Sequence, residues 1–315
     1  MIRFINSKLQ RPHLSLNMIK RERLIERLRS NLALSASFVC AGPGWGKTTV
    51  AAEFVATAGL PTVWYDLDSS DADIAVFFQY LVRAVQQVAP DFGHSTLNLL
   101  GSGGASRFDQ LADLFLYELS EAVEHELIVV LDNIHHTFTA AWSSPVLYRI
   151  HQLDDRALAF TGSEMSELFG SVLDDAGTID KLLGWTQGWV AGLQIIRKAL
   201  EADPSLRQQD LEQIITRSKT EIFDYFADRV YRAEPPEMRE LLVRSALPRH
   251  VTREVLNEAL GLNVTSDRIE AAVRENVFLT RLAGESDTYT FHPLFGGFLR
   301  KQLREEIPVD NYLEM

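Results

Sequence analysis

A glycine-rich turn, Ala41–Thr49 (AGPGWGKTT), lies between an apolar run and a segment of helical period. It offers a small residue, four free positions and then Gly-Lys-Thr, the relaxed form of the P-loop pattern. Few architectures can use it, because the turn needs a buried strand before it and a helix after it. Both are present. Ala33–Ala41 (ALSASFVCA) reads as a buried strand, Lys47–Ala58 as a helix, and Pro61 marks the loop beyond. Gly44 and Gly46 let backbone N–H groups turn inward around phosphate oxygens. The helix start adds its positive end. Lys47 would reach β- and γ-phosphates, and Thr48 would ligate Mg²⁺. Gly42 and Thr49 complete the phosphate-binding set. Trp45 must point out of the loop, either to pack on a neighbouring helical domain or to touch a ligand.

The surrounding chain extends this pattern into a sheet. Arg21–Asn31 reads as a helix, Thr62–Leu67 (TVWYDL) as a second strand and Asp71–Val88 as an amphipathic helix. Gly93–Ser106 reads as a loop, Phe108–His125 as a helix and Leu127–Leu131 (LIVVL) as a third strand. Strands separated by helices imply crossovers and a parallel sheet, so the fold class predicted is an α/β P-loop NTPase. The third strand delivers Asp132 to the sheet edge where open α/β folds bind ligands, so Asp132 is the expected Walker B acid, holding Mg²⁺ through water. Asn133 stands where many hydrolysing enzymes of this type place a second acid facing the attacking water. An amide has no usable basicity there, so at most slow ATP hydrolysis is expected.

Composition narrows the function classes. Lys plus Arg is 31 against 43 Asp plus Glu, a net charge of −12 over 315 residues, which disfavours a chain that coats phosphate backbones. A single cysteine, Cys40, leaves no internal disulfide and no cysteine-rich metal cluster. The opening MIRFINSKLQRPH has no apolar signal core, and apolar runs are short. A cytoplasmic protein with no membrane partner is the expectation.

After about Ser163 helical periods dominate. Near the end, Val277–Leu282 and Thr288–Phe291 are β-like runs around AGESD. Helices followed by such a hairpin predict a winged helix, with Pro235-Pro236 as a boundary before it. Its candidate recognition stretch, Ser266–Arg274, mixes Arg268 and Arg274 with Asp267 and Glu270. That is a poor phosphate-facing surface, so no DNA binding by this chain alone is expected.

These segments together resemble the MalT-type STAND ATPases, the nucleotide-switch module of LuxR-class bacterial transcription activators. The opening KL…P with Arg21-Glu22-Arg23-Leu24, the P-loop, LDSSDAD, LDNIHH, LAFTGSEMSELF, TQGWVAGLQI and the run from RSALPR to FHPLFGGFLR fall in the family's order. The resemblance covers nearly the whole chain. It implies a P-loop domain over 1–163, a helical domain over 164–234 and a winged-helix domain over 235–315. It also implies ADP held at their junction, exchanged for ATP when an inducer binds. Met18 and Ile19 would line the adenine pocket, and Arg21 would support it. His292 would contact the ADP β-phosphate and lock the closed state; from the residues alone it could equally be a packed core histidine. His135 would orient the Walker B turn. Val190 stands where the family's adenine-contacting proline belongs. Between Walker B and LAFTGSEM the family has a further strand ending in an arginine. Here that strand is lost, or left out of the sequence, or replaced by Ala157–Phe160, with Arg149 and Arg156 as weak substitute sensors. The family's sensor and DNA-binding domains lie further along the chain, so a fragment or shortened homologue is expected. The competing functional classes are a plain P-loop ATPase and an interaction protein that binds nucleotide without turnover.

Overall fold

The computed structural model describes residues 5–15, 18–33, 36–102, 108–134, 150–208, 211–248, 250–274, 278–281 and 287–306. Two compact units emerge. One runs up to Ser37 and resumes from Thr48 to His151; the other joins Phe38–Lys47 to the chain from Gln152 onward.

In the first unit, α1 (Glu22–Arg29) buries Leu24, Ile25 and Leu28 on one face. Strand β1 (Ala36–Val39) begins in this unit and leads into the glycine-rich turn, which belongs to the second, and α2 (Lys47–Ala58) returns the chain to the first. β2 (Thr62–Asp66) pairs in parallel with β3 (Ile128–Asp132), which places Asp66 opposite Asp132. Between them lie α3 (Ile74–Val85), α4 (His94–Gly101) and α5 (Phe108–Ala122). The core gathers Tyr65, Leu67, Phe77, Phe78, Tyr80, Phe92, Leu111 and Phe115. Tyr65 stacks on Phe77 and Tyr80 at 5.8 and 5.6 Å. α3 starts three residues later than the predicted Asp71, because the Asp73 side chain accepts from Ala75 and Val76 N–H and sets the cap there.

Two expectations are corrected. Much of the loop predicted from Gly93 is helix α4. Glu118 of α5 accepts from the N–H groups of Ser95 and Thr96 at 2.8 and 2.9 Å and from the Thr96 hydroxyl at 2.6 Å. A carboxylate from another helix thus caps α4, which no local pattern announces. Burial works against the Glu118 charge, yet these donors hold its carboxyl below the usual range. The stretch Ala157–Phe160 is not the missing strand. β4 (Ile150–Leu153) lies upstream and pairs with β1, while α6 (Asp155–Leu158) is a helical turn capped by Asp154. The Leu153 carbonyl accepts from Cys40 N–H at 2.8 Å.

In the second unit, α7 (Gly162–Phe169) opens on a reciprocal Thr161–Glu164 cap. α8 (Ala176–Thr186) ends where Gln187 and Gly188 both take left-handed φ, and α9 (Val190–Ala202) starts two residues later. α10 (Leu211–Phe226) follows, then α11 (Pro236–Ser245), with proline in the first turn where no N–H is needed. β5 (Val251–Thr252), α12 (Ser266–Arg274), β6 (Leu279–Arg281), β7 (Thr288–Phe291) and α13 (Pro293–Glu306) complete the chain. The three strands form an antiparallel sheet in the order β5-β7-β6, with β6 and β7 paired as the winged helix requires. Among the described residues no helix is long and apolar enough to cross a membrane.

Candidate functional site

Gly44 and Gly46 have φ of +78° and +81°, the left-handed region that a β-carbon penalises, so this turn depends on glycine. Gly42 is buried. The Lys47 ammonium folds over the turn and donates to the carbonyls of Ala41 and Gly42 at 2.7 and 2.9 Å. A cation is therefore held at the mouth of a loop whose glycines permit its N–H groups to converge. Thr48 is half-buried at the start of α2, and Thr49 is exposed.

The back of the loop is gripped by the segment between α8 and α9. The Trp189 indole N–H donates to the Pro43 carbonyl at 3.1 Å, and Ala191 N–H donates to the Gly44 carbonyl at 2.9 Å. Val190, at the first helical position, is half-buried. Trp45 is buried and meets the His292 ring edge-on at 6.1 Å, so it packs against the residue that precedes α13.

His292 is buried as well. Leu294 N–H donates to its Nδ1 at 3.3 Å, which leaves the proton on Nε2, 2.9 Å from the Thr186 carbonyl that accepts it. Burial drives its pKa down to about 4, against the opposing effect of the Thr186 bond. It is a neutral imidazole with both nitrogens engaged by backbone.

In the first unit, Asp132 accepts from Asn133 N–H at 3.0 Å, and Asn133 itself has φ of +55°. The Asn133 amide donates to Asp66 at 2.9 Å. Asparagine suits this position twice over: it tolerates left-handed backbone, and its amide can donate to a carboxylate where an aspartate could not. Asp66 belongs to no motif of its own. Its signal was its place at the end of a parallel strand, level with Asp132. Ile19 and Arg21 are buried and Met18 half-buried; Arg21 N–H donates to Glu53 at 3.4 Å. Burial raises the Glu53 pKa, with Arg21 opposing. His135 lies outside the described residues. Arg156 is exposed on α6, and Arg149 also falls outside.

The glycine-dependent turn with its lysine, the parallel strands ending in Asp66 and Asp132, and the three-stranded wing define a P-loop ATPase fold carrying a winged helix. A solved Walker-type ATPase from Pyrococcus abyssi shares that fold: TM-score 0.57, 14% identity, 90% of this chain and 96% of that one. Residues 227–311 match the MalT winged helix domain. The chain is 26% identical over 341 residues to the HTH-type transcriptional regulator MalT of Vibrio cholerae serotype O1, covering 97% of this chain and 37% of that protein. It is 25% identical over 342 residues to the MalT of Cronobacter sakazakii, with the same shares. The chain is thus a relative of the MalT-type regulators along nearly its whole length, and it spans a little over a third of theirs.

Proposed function

We propose that this chain is the ATP/ADP-binding switch module of a MalT-like, LuxR-class transcription regulator. In this reading ADP rests on Ala41–Thr49, with Lys47 at its terminal phosphates and Thr48 and Asp132 serving Mg²⁺, the latter through water. Met18, Ile19, Arg21 and Val190 serve the adenine side, and exchange for ATP, prompted by an inducer, marks activation. The working divisions are a P-loop domain over 1–163, a helical domain over 164–234 and a winged helix over 235–315. Sensor and DNA-binding domains belong to a longer protein or to partners.

The observation that best supports this reading is the packing of His292, which opens the last helix, against Trp45 inside the P-loop itself. A winged helix that touches the loop can respond to what the loop holds. Both His292 nitrogens are engaged by backbone, so a phosphate contact would require the ring to exchange one of those bonds for the anion. At −12 net charge the chain is proposed not to hold DNA by itself.

The test is to denature the purified chain, chromatograph what it releases, and titrate ADP and ATP by calorimetry. ADP or ATP is expected to co-purify, and Lys47→Ala is expected to weaken both affinities severely. Absence of binding, or affinities untouched by Lys47→Ala, would overturn the phosphate-site assignment.

A further inference from the structure

Backbone N–H groups that converge on an anion leave their carbonyls on the opposite side of the loop. On that side two donors from one short segment meet two consecutive carbonyls: Trp189 Nε1–H on Pro43 and Ala191 N–H on Gly44. The fit leaves no room. A β-carbon on Gly44 would come within 2.6 Å of Ala191 Cβ, 2.8 Å of Tyr225 Oη and 2.9 Å of Trp189 Nε1. Trp189 has no solvent exposure, and its ring stacks on Phe226 at 4.8 Å and meets Phe278 and His292 edge-on at 5.5 and 6.2 Å. Its entry is set by Gly188, whose carbonyl accepts from Phe160 N–H at 2.9 Å and whose missing β-carbon would strike the Phe160 backbone at 2.7 and 2.8 Å.

We propose that Trp189 and Ala191 are positioning residues of the nucleotide site, which fix the P-loop from its carbonyl face and tie its grip to the packing of α10 and the winged helix. This rests on the reading of Ala41–Thr49 as a nucleotide site. The physical content is reciprocal. If the segment holds the loop in its anion-binding conformation, a bound nucleotide must in turn hold the segment. Packing changes at Phe226 and Phe278 reach the loop through the Trp189 indole, and those at His292 through Trp189 and Trp45.

The test uses the intact chain with Mg²⁺ and fluorescent ADP. Trp189→Phe keeps a six-membered aromatic ring for the Phe226 stack and removes the N–H donor together with the pyrrole part of the indole. One neutral hydrogen bond corresponds to roughly two- to tenfold in an equilibrium constant, so ADP should dissociate about two- to tenfold faster while circular dichroism stays unchanged. Hydrogen exchange supplies a readout that simple destabilisation would not move. In the unaltered chain ADP should slow amide exchange at the start of α9. In the variant that slowing should shrink, while the slowing in α2 remains. Should Trp189→Phe fail to fold, the unaltered chain still decides, because no ADP-dependent protection at the start of α9 overturns the proposal. Tight ADP binding with equal off-rates and equal protection overturns the latch alone. No ADP binding by the unaltered chain overturns the nucleotide reading and the latch with it.

Discussion

Acidification should weaken the second unit through one residue, His292. Its imidazole is neutral, with Nδ1 accepting from Leu294 and Nε2 donating to Thr186. Protonating Nδ1 would destroy the Leu294 bond and place a charge among Trp45, Trp189 and Phe278. The folded pKa of about 4 lies below the ordinary 6.5 expected of the unfolded chain. Stability from this group is therefore complete above pH 6.5 and is lost as pH falls toward 4. The gap of about 2.5 pH units corresponds to about 3 kcal/mol at the acid end. His292→Gln is the control, since its amide can still donate to Thr186 and cannot titrate. Urea unfolding followed by tryptophan fluorescence, at intervals between pH 7 and 4, should show the unaltered chain losing about 3 kcal/mol more than His292→Gln. Carboxylates titrate in both proteins and cancel in the difference. Parallel pH profiles would refute the argument and mean that His292 charges without leaving its site.

Lys8 lies between Asp71 and Asp68 at 2.7 and 2.8 Å, and the Asp71 side chain has no exposure. Lys8→Met should therefore cost about 3–5 kcal/mol by leaving a buried carboxylate without its cation, which chemical denaturation would measure. In the same variant the Asp68 pKa, held at about 2 first by its bond from Lys8, should climb toward the ordinary carboxylate range in an NMR titration. Asn133→Asp by itself should not speed ATP hydrolysis, because the new carboxylate would face Asp66 where an amide now donates to it. Pairing it with Asp66→Asn reverses the polarity and frees a base. Single-turnover assays should then rise toward the roughly 10²-fold that general-base help supplies. Equal rates in the single and double variants would refute that geometry.

Much of the architecture was legible because it is written in local chemistry. Lys47–Ala58 forms a helix over the predicted residues because a glycine turn opens it and Gly59 and Pro61 close it. The β2 and β3 runs are short and rich in β-branched and aromatic residues, and Thr288–Phe291 follows the same rule. Gly44 and Gly46 announced their left-handed backbone by being glycine. Tertiary structure decided what depends on partners distant in sequence. α4 exists because Glu118 reaches its N-terminus, and β4 because β1 pairs with it. Asp66 acquires meaning only when parallel register sets it level with Asp132 and within reach of Asn133. His292 could be read either as a phosphate ligand or as a core residue. Its tautomer follows from Thr186, more than a hundred positions away along the chain, and its depressed pKa from burial, which the Thr186 bond opposes. The grip of Trp189 on Pro43 spans 146 positions. Local sequence carries periodicity, turn preference and motif, but a hydrogen bond between remote segments depends on packing that brings donor and acceptor together, and no single segment encodes it.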